Sequence, residues 1–165
     1  MRLLVTGRTG QLASSLLERA AAHPGIEVIA AGRPELDLTG RQKVAAALAS
    51  LRPDIVVNAA AYTAVDKAEQ EQAMAYAVNR DGAEIVAAAA ARLRLPFIQI
   101  STDYVYAGDK AAPYVETDPT GPLGVYGASK LAGEVAVKAA HPDPLILRTS
   151  WVYSPFGANF VKTML

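Results

Sequence analysis

One stretch limits the folds open to this chain more than any other: RLLVTGRTGQLASSLLERA, residues 2–20. A short apolar run ending on Gly7 reads as a buried strand. Leu12, Leu16, Leu17 and Ala20 then recur at helical spacing until Pro24 and Gly25 stop the pattern. A strand that turns through glycine directly into a helix is the opening unit of a parallel β-α-β layout. The free N–H groups and the dipole at such a helix start suit a pyrophosphate. Gly7 permits the tight turn, and Gly10 lets the backbone approach the phosphates. The spacing is G-x-x-G-x-x-A rather than G-x-G-x-x-G, with small Ala13 where close helix–strand packing is needed. The other reading is an ordinary strand-to-helix turn.

The rest of the chain continues the rhythm. Further strands are expected at 26–32, 54–61, 96–102 and 144–151. Helices are expected at 39–53, with Thr39 as N-cap, and over Tyr126–Ala140. Asp66–Tyr76 and Asp81–Leu93 read as two helices interrupted near Asn79. Asp103–Leu123 carries Pro and Gly without a period and reads as a long loop. Strands apolar throughout imply a parallel sheet covered on both faces. The expected fold is α/β, a doubly wound Rossmann-type parallel sheet of five strands in order 3-2-1-4-5. Residues 1–150 form its dinucleotide-binding domain. Residues 151–165 read as the start of a truncated substrate-binding region, because VYSPFGANFVKTML enters a helix and stops.

Composition excludes several classes. Apolar residues make up 52% and charged ones 19%, which suits a folded domain. The formal net charge is zero and no basic stripe is present, so no nucleic acid is expected as partner. With no Cys, disulfides and thiolate metal sites are excluded, and a reducing, cytoplasmic location is expected. No apolar run reaches signal-peptide or membrane-spanning length, so no membrane is expected as partner. His23 and His141 each precede a Pro near a helix end and read as loop residues; no metal site is assigned.

Chemistry-bearing residues collect where strands end. A carboxylate closing the second strand would bind the ribose hydroxyls of NAD. Here Gly32 and Arg33 stand in its place, and Arg8 lies inside the glycine turn. Both cations suit a 2′-phosphate, which points to NADPH while NADH stays open; two solvated arginines are the competing reading. The cofactor-binding set is Gly7, Arg8, Thr9, Gly10, Gln11, Leu12, Arg33, Asp37, Leu38, Ala59, Ala60, Ala61, Tyr62, Ser101, Tyr126 and Lys130. Asn58–Ala61 offers small residues that let a cofactor lie close to the backbone. Ser101, Thr102 and Asp103 bring hydroxyls and a carboxylate to the same sheet edge. Tyr126 and Lys130 lie four apart on an expected helix, so they share a face. Thr102, Tyr126 and Lys130 could therefore converge on one carbonyl; a solvated Tyr–Lys pair is the alternative.

These motifs together resemble the extended short-chain dehydrogenase/reductase family. VNAAAYTAVDKAE, STDYVY, VYGASKLAGE and RTSWVY narrow the resemblance to the dTDP-4-dehydrorhamnose reductases over nearly the whole chain. The resemblance implies NADPH-dependent reduction of the C4 keto group of dTDP-4-dehydro-L-rhamnose, a nucleotide-sugar substrate. It implies Thr102, Tyr126 and Lys130 as the catalytic residues. Tyr126 would be the proton donor. Lys130 would favour its phenolate and hold the nicotinamide ribose, and Thr102 would hydrogen-bond the substrate oxygen. Thr102, Asp103, Tyr104 and Trp151 would meet the substrate; from sequence Trp151 reads equally as a core aromatic. Related dehydratases carry Thr-Asp-Glu where this chain has Thr102-Asp103-Tyr104, which favours reduction. A homodimer stays open as an assembly. So do a regulatory subunit like that of methionine adenosyltransferase and a cofactor-binding fragment without activity.

Overall fold

A computed structural model describes residues 1–165 as a five-stranded parallel sheet with helices on both faces. The strands are β1 Arg2–Thr6, β2 Glu27–Ala31, β3 Ile55–Asn58, β4 Phe97–Thr102 and β5 Pro144–Thr149. The helices are α1 Gln11–Ala20, α2 Arg41–Leu51, α3 Val65–Ala68, α4 Gln72–Tyr76, α5 Ala83–Arg92, α6 Val125–Ala140 and α7 Phe160–Met164. No helix is long and apolar enough to cross a membrane.

The strand order is 2-1-3-4-5, not the expected 3-2-1-4-5. Burial supplies the physical reason. In β3, Val56, Val57 and Asn58 are all buried, so it needs a strand on each side. β2 carries exposed Glu27, paired with Arg2 at 2.9 Å, and no residue of β2 is fully buried. It suits an edge. The crossovers therefore leave β1 and β3 in opposite directions, and a crevice opens between their carboxyl ends.

Alternation along the strands divides the core in two. Leu4, Val56 and Phe97 pack with Val44 and Leu48 of α2, Val86 of α5 and Val137 of α6. Val5 and Val57 point the other way, onto Ala13 of α1. Each fully buried Leu or Val contributes roughly 1.5–3 kcal/mol of transfer free energy. Leu145 and Leu147 of β5 share a register with Ile98 and Ile100 but remain exposed.

Three local expectations are revised. The helix near Asn79 does not break: α4 and α5 join through a π turn at Ala77–Gly82. Thr39 is not the N-cap of α2, a place taken by Gly40 without a side-chain bond. Asp37 captures Thr39 instead, accepting from its hydroxyl at 2.8 Å and its N–H at 3.0 Å. His141 lies outside any helix or strand, just past α6, and is buried. It stacks on Phe97 with centroids 5.7 Å apart, and its Nε2 lies 3.0 Å from the Leu95 carbonyl. The 103–123 loop opens with a 3₁₀ turn at Asp103–Val105 and is pinned by stacked Tyr106 and Tyr114.

Candidate active site

The glycine turn sits at the crevice. Gly7 has φ +89°, and a Cβ there would lie 3.2 Å from the Ala60 backbone. Both facts demand glycine. Gly7→Ala is expected to cost about 1–2 kcal/mol from the backbone conformation alone. Thermal denaturation should then show Tm lower by roughly 3–8 °C, and an unchanged Tm would refute this account. At the start of α1 no side chain caps the helix, and no acidic residue lies in its first turn. Its leading N–H groups have no intrahelical partner, and Arg8, Thr9 and Gly10 are exposed beside them. The turn therefore fits a diphosphate.

A polar relay beneath this turn was not assigned a role from the sequence. The buried Thr6 hydroxyl accepts from the N–H groups of Ala59 at 3.1 Å and Ala60 at 3.0 Å, and donates to Asn58 at 2.6 Å. Asn58 donates to Gln99 at 2.8 Å, and Gln99 donates to the Ile100 carbonyl at 2.9 Å. The relay holds Ala59 and Ala60 against the glycine turn. Its signal in the sequence is Thr6 and Asn58 closing the apolar β1 and β3, with Gln99 inside the apolar β4. Asn79 does similar work from the π turn. It accepts from Tyr62 N–H at 2.8 Å and donates to Tyr62 O at 3.0 Å and to Ser129 Oγ at 2.9 Å. The Tyr62 hydroxyl donates to Glu71 at 2.6 Å.

After β2 the expected cofactor residues divide. Arg33 is exposed. Arg8 pairs with Glu35 at 3.0 Å, with both side chains largely in solvent. The Asp37 carboxylate is held below its usual range by hydrogen bonds from Thr39, so it caps the turn. Leu38 is only 7% exposed and belongs to the core. Gln11 turns toward the chain's last segment, accepting from Ser154 and Asn159 at 3.1 Å each.

Thr102 ends β4, and α6, which carries Tyr126 and Lys130, packs against β4 and the 3₁₀ turn that follows it. Gly127 allows it: a Cβ there would lie 2.2 Å from the Tyr104 carbonyl oxygen, so α6 can press against the 3₁₀ turn. Thr102 is buried; its hydroxyl donates to Asp103 at 3.2 Å and accepts from the Tyr104 N–H at 3.3 Å. Burial pushes the Tyr126 phenol above its ordinary range; the nearby Thr102 hydroxyl opposes this, while Asp103 and Tyr104 reinforce it. Lys130 is buried, and its Nζ donates to the Ile100 carbonyl at 2.7 Å. Burial lowers Lys130 to about 8, with Glu134 pulling the other way. Lys130 is turned to a carbonyl, and the phenol keeps its proton at neutral pH. The Ser101 side chain is buried and donates to Glu134 at 2.6 Å, so its hydroxyl faces α6.

On the outer side, Asp103 accepts from Ser150 at 2.5 Å. Half-exposed Tyr104 meets Tyr126 edge-on with centroids 5.6 Å apart. Trp151 is 70% exposed in this chain. Its φ of +53° is strained for a bulky residue, and its ring rests edge-on against Phe160 at 4.8 Å.

The family model described as "RmlD substrate binding domain" matches residues 1–165. The chain belongs to this family. A dTDP-4-dehydrorhamnose reductase of Sinorhizobium fredii is 56% identical over 165 residues, covering 100% of this chain and 55% of that relative. The chain thus spans about half the length of the curated relatives it matches. The structure of a Bacillus anthracis dTDP-4-dehydrorhamnose reductase in complex with NADP superposes with a TM-score of 0.94 at 41% identity. That match covers 99% of this chain and 58% of the other. A Thermus thermophilus UDP-glucose 4-epimerase in complex with NAD superposes at 0.79 with 26% identity, over 94% of this chain and 57% of that one. The family match and the glycine turn therefore fall on the same segment.

Proposed function

We propose that this chain is the dinucleotide-binding part, residues 1–150, of an NADPH-dependent reductase acting on the C4 keto group of dTDP-4-dehydro-L-rhamnose. The observation that supports the reading is the packing of α6, which carries Tyr126 and Lys130, against the Thr102 end of β4, in a sheet whose first helix starts uncapped. The relatives' names and the NADP-bound neighbour support the substrate and the cofactor. Residues 151–165 would begin the substrate-binding region, and a cytoplasmic location suits the reading.

The chain's own residues divide the work. The N–H groups of the Gly7–Leu12 turn hold the diphosphate, and Arg33 and Arg8 meet the 2′-phosphate. When bound, the cofactor would supply the hydride that turns the carbonyl into a hydroxyl, itself becoming the oxidised dinucleotide. Thr102 hydrogen-bonds the carbonyl oxygen and orients it. Tyr126 delivers the proton that oxygen needs, and its raised pKa keeps it in the donating form. Lys130 holds the ribose. Asp103, Tyr104 and Trp151 face the sugar.

The test has two parts. NADPH binding is titrated on residues 1–165, and NADPH consumption with dTDP-4-dehydrorhamnose is followed on a form extended at the C-terminus. Gly10→Val tests the turn. A Cβ at Gly10 meets only the Gly7 carbonyl, at 3.2 Å, so the sheet should persist by circular dichroism while cofactor binding is lost. Normal binding by a folded variant would move the diphosphate elsewhere.

Cofactor choice gives a separate expectation. The Arg8–Glu35 pair is exposed, so it yields to a phosphate at little cost. NADPH should bind more tightly than NADH by about 1–3 kcal/mol. Arg33→Ala should erase most of that margin. Equal affinities in the unaltered protein would remove the argument.

A further inference from the structure

The face of α6 turned toward β4 and β5 buries a second charge, one turn beyond Lys130. Glu134 is 2% exposed. Its Oε1 accepts from Ser101 Oγ at 2.6 Å and from Arg148 Nε at 2.9 Å. Its Oε2 accepts from Arg148 Nη2 at 2.6 Å. Arg148 Nη1 donates to the Tyr106 hydroxyl at 2.6 Å, and the guanidinium lies 4.8 Å above that ring.

Each anchor of this cluster adjoins a site residue. Ser101 precedes Thr102 on β4. Tyr106 follows the 3₁₀ turn that carries Asp103 and Tyr104. Glu134 lies four residues after Lys130, on the same helix face. A buried ion pair is a poor source of stability, since apolar residues of similar volume often do as well. What apolar contacts do not supply is a fixed register between a strand end and a helix turn.

We propose that Glu134 is a positioning residue that clamps the Thr102-bearing end of β4 to the Lys130-bearing turn of α6 and gives Lys130 its buried counter-charge. The proposal rests on the reading of Thr102, Tyr126 and Lys130 as the reacting set. The groups facing Lys130 can be named. Glu134 faces it from α6 itself, with Arg148 of β5 behind. Asp103, Tyr104 and Tyr126 lie toward the site. On the neighbouring π turn and α5, Arg80 pairs with Asp81 and Glu84 with Arg41, all near the surface.

The test uses Glu134→Gln in a catalytically complete form, assayed well below its melting temperature. The variant keeps the size and removes the charge. The expected result is kcat lower by roughly 10–100-fold per folded molecule, the scale of a slight misplacement. The first alkaline limb of the pH–rate profile, set by loss of the Lys130 proton, should move to lower pH. Ser101→Ala keeps the charge but cuts the tie to β4, so kcat should fall while the limb stays. Should Glu134→Gln fail to fold, Ser101→Ala and Glu134→Asp carry the test. A purely structural Glu134 would lower Tm and leave both kcat per folded molecule and the limb unchanged, which overturns the proposal. Tyr126→Phe serves as the control. An inactive Tyr126→Phe beside unaffected Glu134→Gln and Ser101→Ala sinks the clamp alone. An active Tyr126→Phe sinks the clamp together with the reading it rests on.

Discussion

Tyr126→Phe is expected to lower kcat by at least ~100-fold in a catalytically complete form, the lower end of what a general acid contributes. The substitution removes one oxygen and keeps the ring. The edge-on contact with Tyr104 and the packing of α6 survive, so fold and NADPH affinity should stay nearly unchanged. Thr102→Val should act in the same direction, because it removes the hydroxyl proposed to orient the substrate carbonyl. Steady-state kinetics with dTDP-4-dehydrorhamnose, beside a cofactor titration, measures both effects. If Tyr126 and Thr102 were only packed polar residues, both variants would turn over normally or lose activity only with stability. Near-normal turnover in a well-folded Tyr126→Phe would end the catalytic reading.

Lys130→Met should do something less usual: stabilise the fold while damaging both cofactor binding and turnover. Burial lowers the Lys130 pKa from 10.5 to about 8. That difference corresponds to about 3 kcal/mol of cost for holding the ammonium inside the protein. The Ile100 carbonyl is not orphaned by the change, because Gln99 still donates to it at 2.9 Å. At pH 7 the variant should therefore unfold about 1–3 kcal/mol later than the unaltered protein, allowing for the lost Lys130 bond. The sign with pH follows from linkage. Between about 8 and 10.5 the unfolded chain holds the proton that the folded one has released, so the unaltered protein gains stability as pH rises through this window. The advantage of Lys130→Met should shrink across the same window. Urea denaturation at pH 7 and pH 10 measures it. A variant less stable at pH 7, or a gap that does not change with pH, would show that Lys130 is not a strained buried cation. A functional lysine that costs stability is the familiar trade between activity and stability.

Much of this was legible in the sequence because it depends on local order. The strand–glycine–helix unit at residues 2–20 dictates a parallel β-α-β layout, since the turn, the apolar run and the helical spacing all lie within a few residues of one another. The four-residue interval from Tyr126 to Lys130 places both on one helix face by geometry alone. The neighbourhood of Thr102 follows from the rule that ligands gather at the carboxyl ends of parallel strands. Tertiary structure alone decided the rest. The strand order is 2-1-3-4-5 because β3 buries more than β2, a comparison between elements that no local window contains. The Thr6–Asn58–Gln99 relay joins residues 41 or more positions apart, so its members look like isolated polar residues until the strands align. Ser101 and Asp37 belong to the right neighbourhoods, yet Glu134 and Thr39 take their side chains for structural work. Whether Lys130 meets a phenol or a carbonyl is likewise settled in space. Sequence spacing determines which residues share a face, but burial and competing partners determine what each polar atom bonds and which charge it carries.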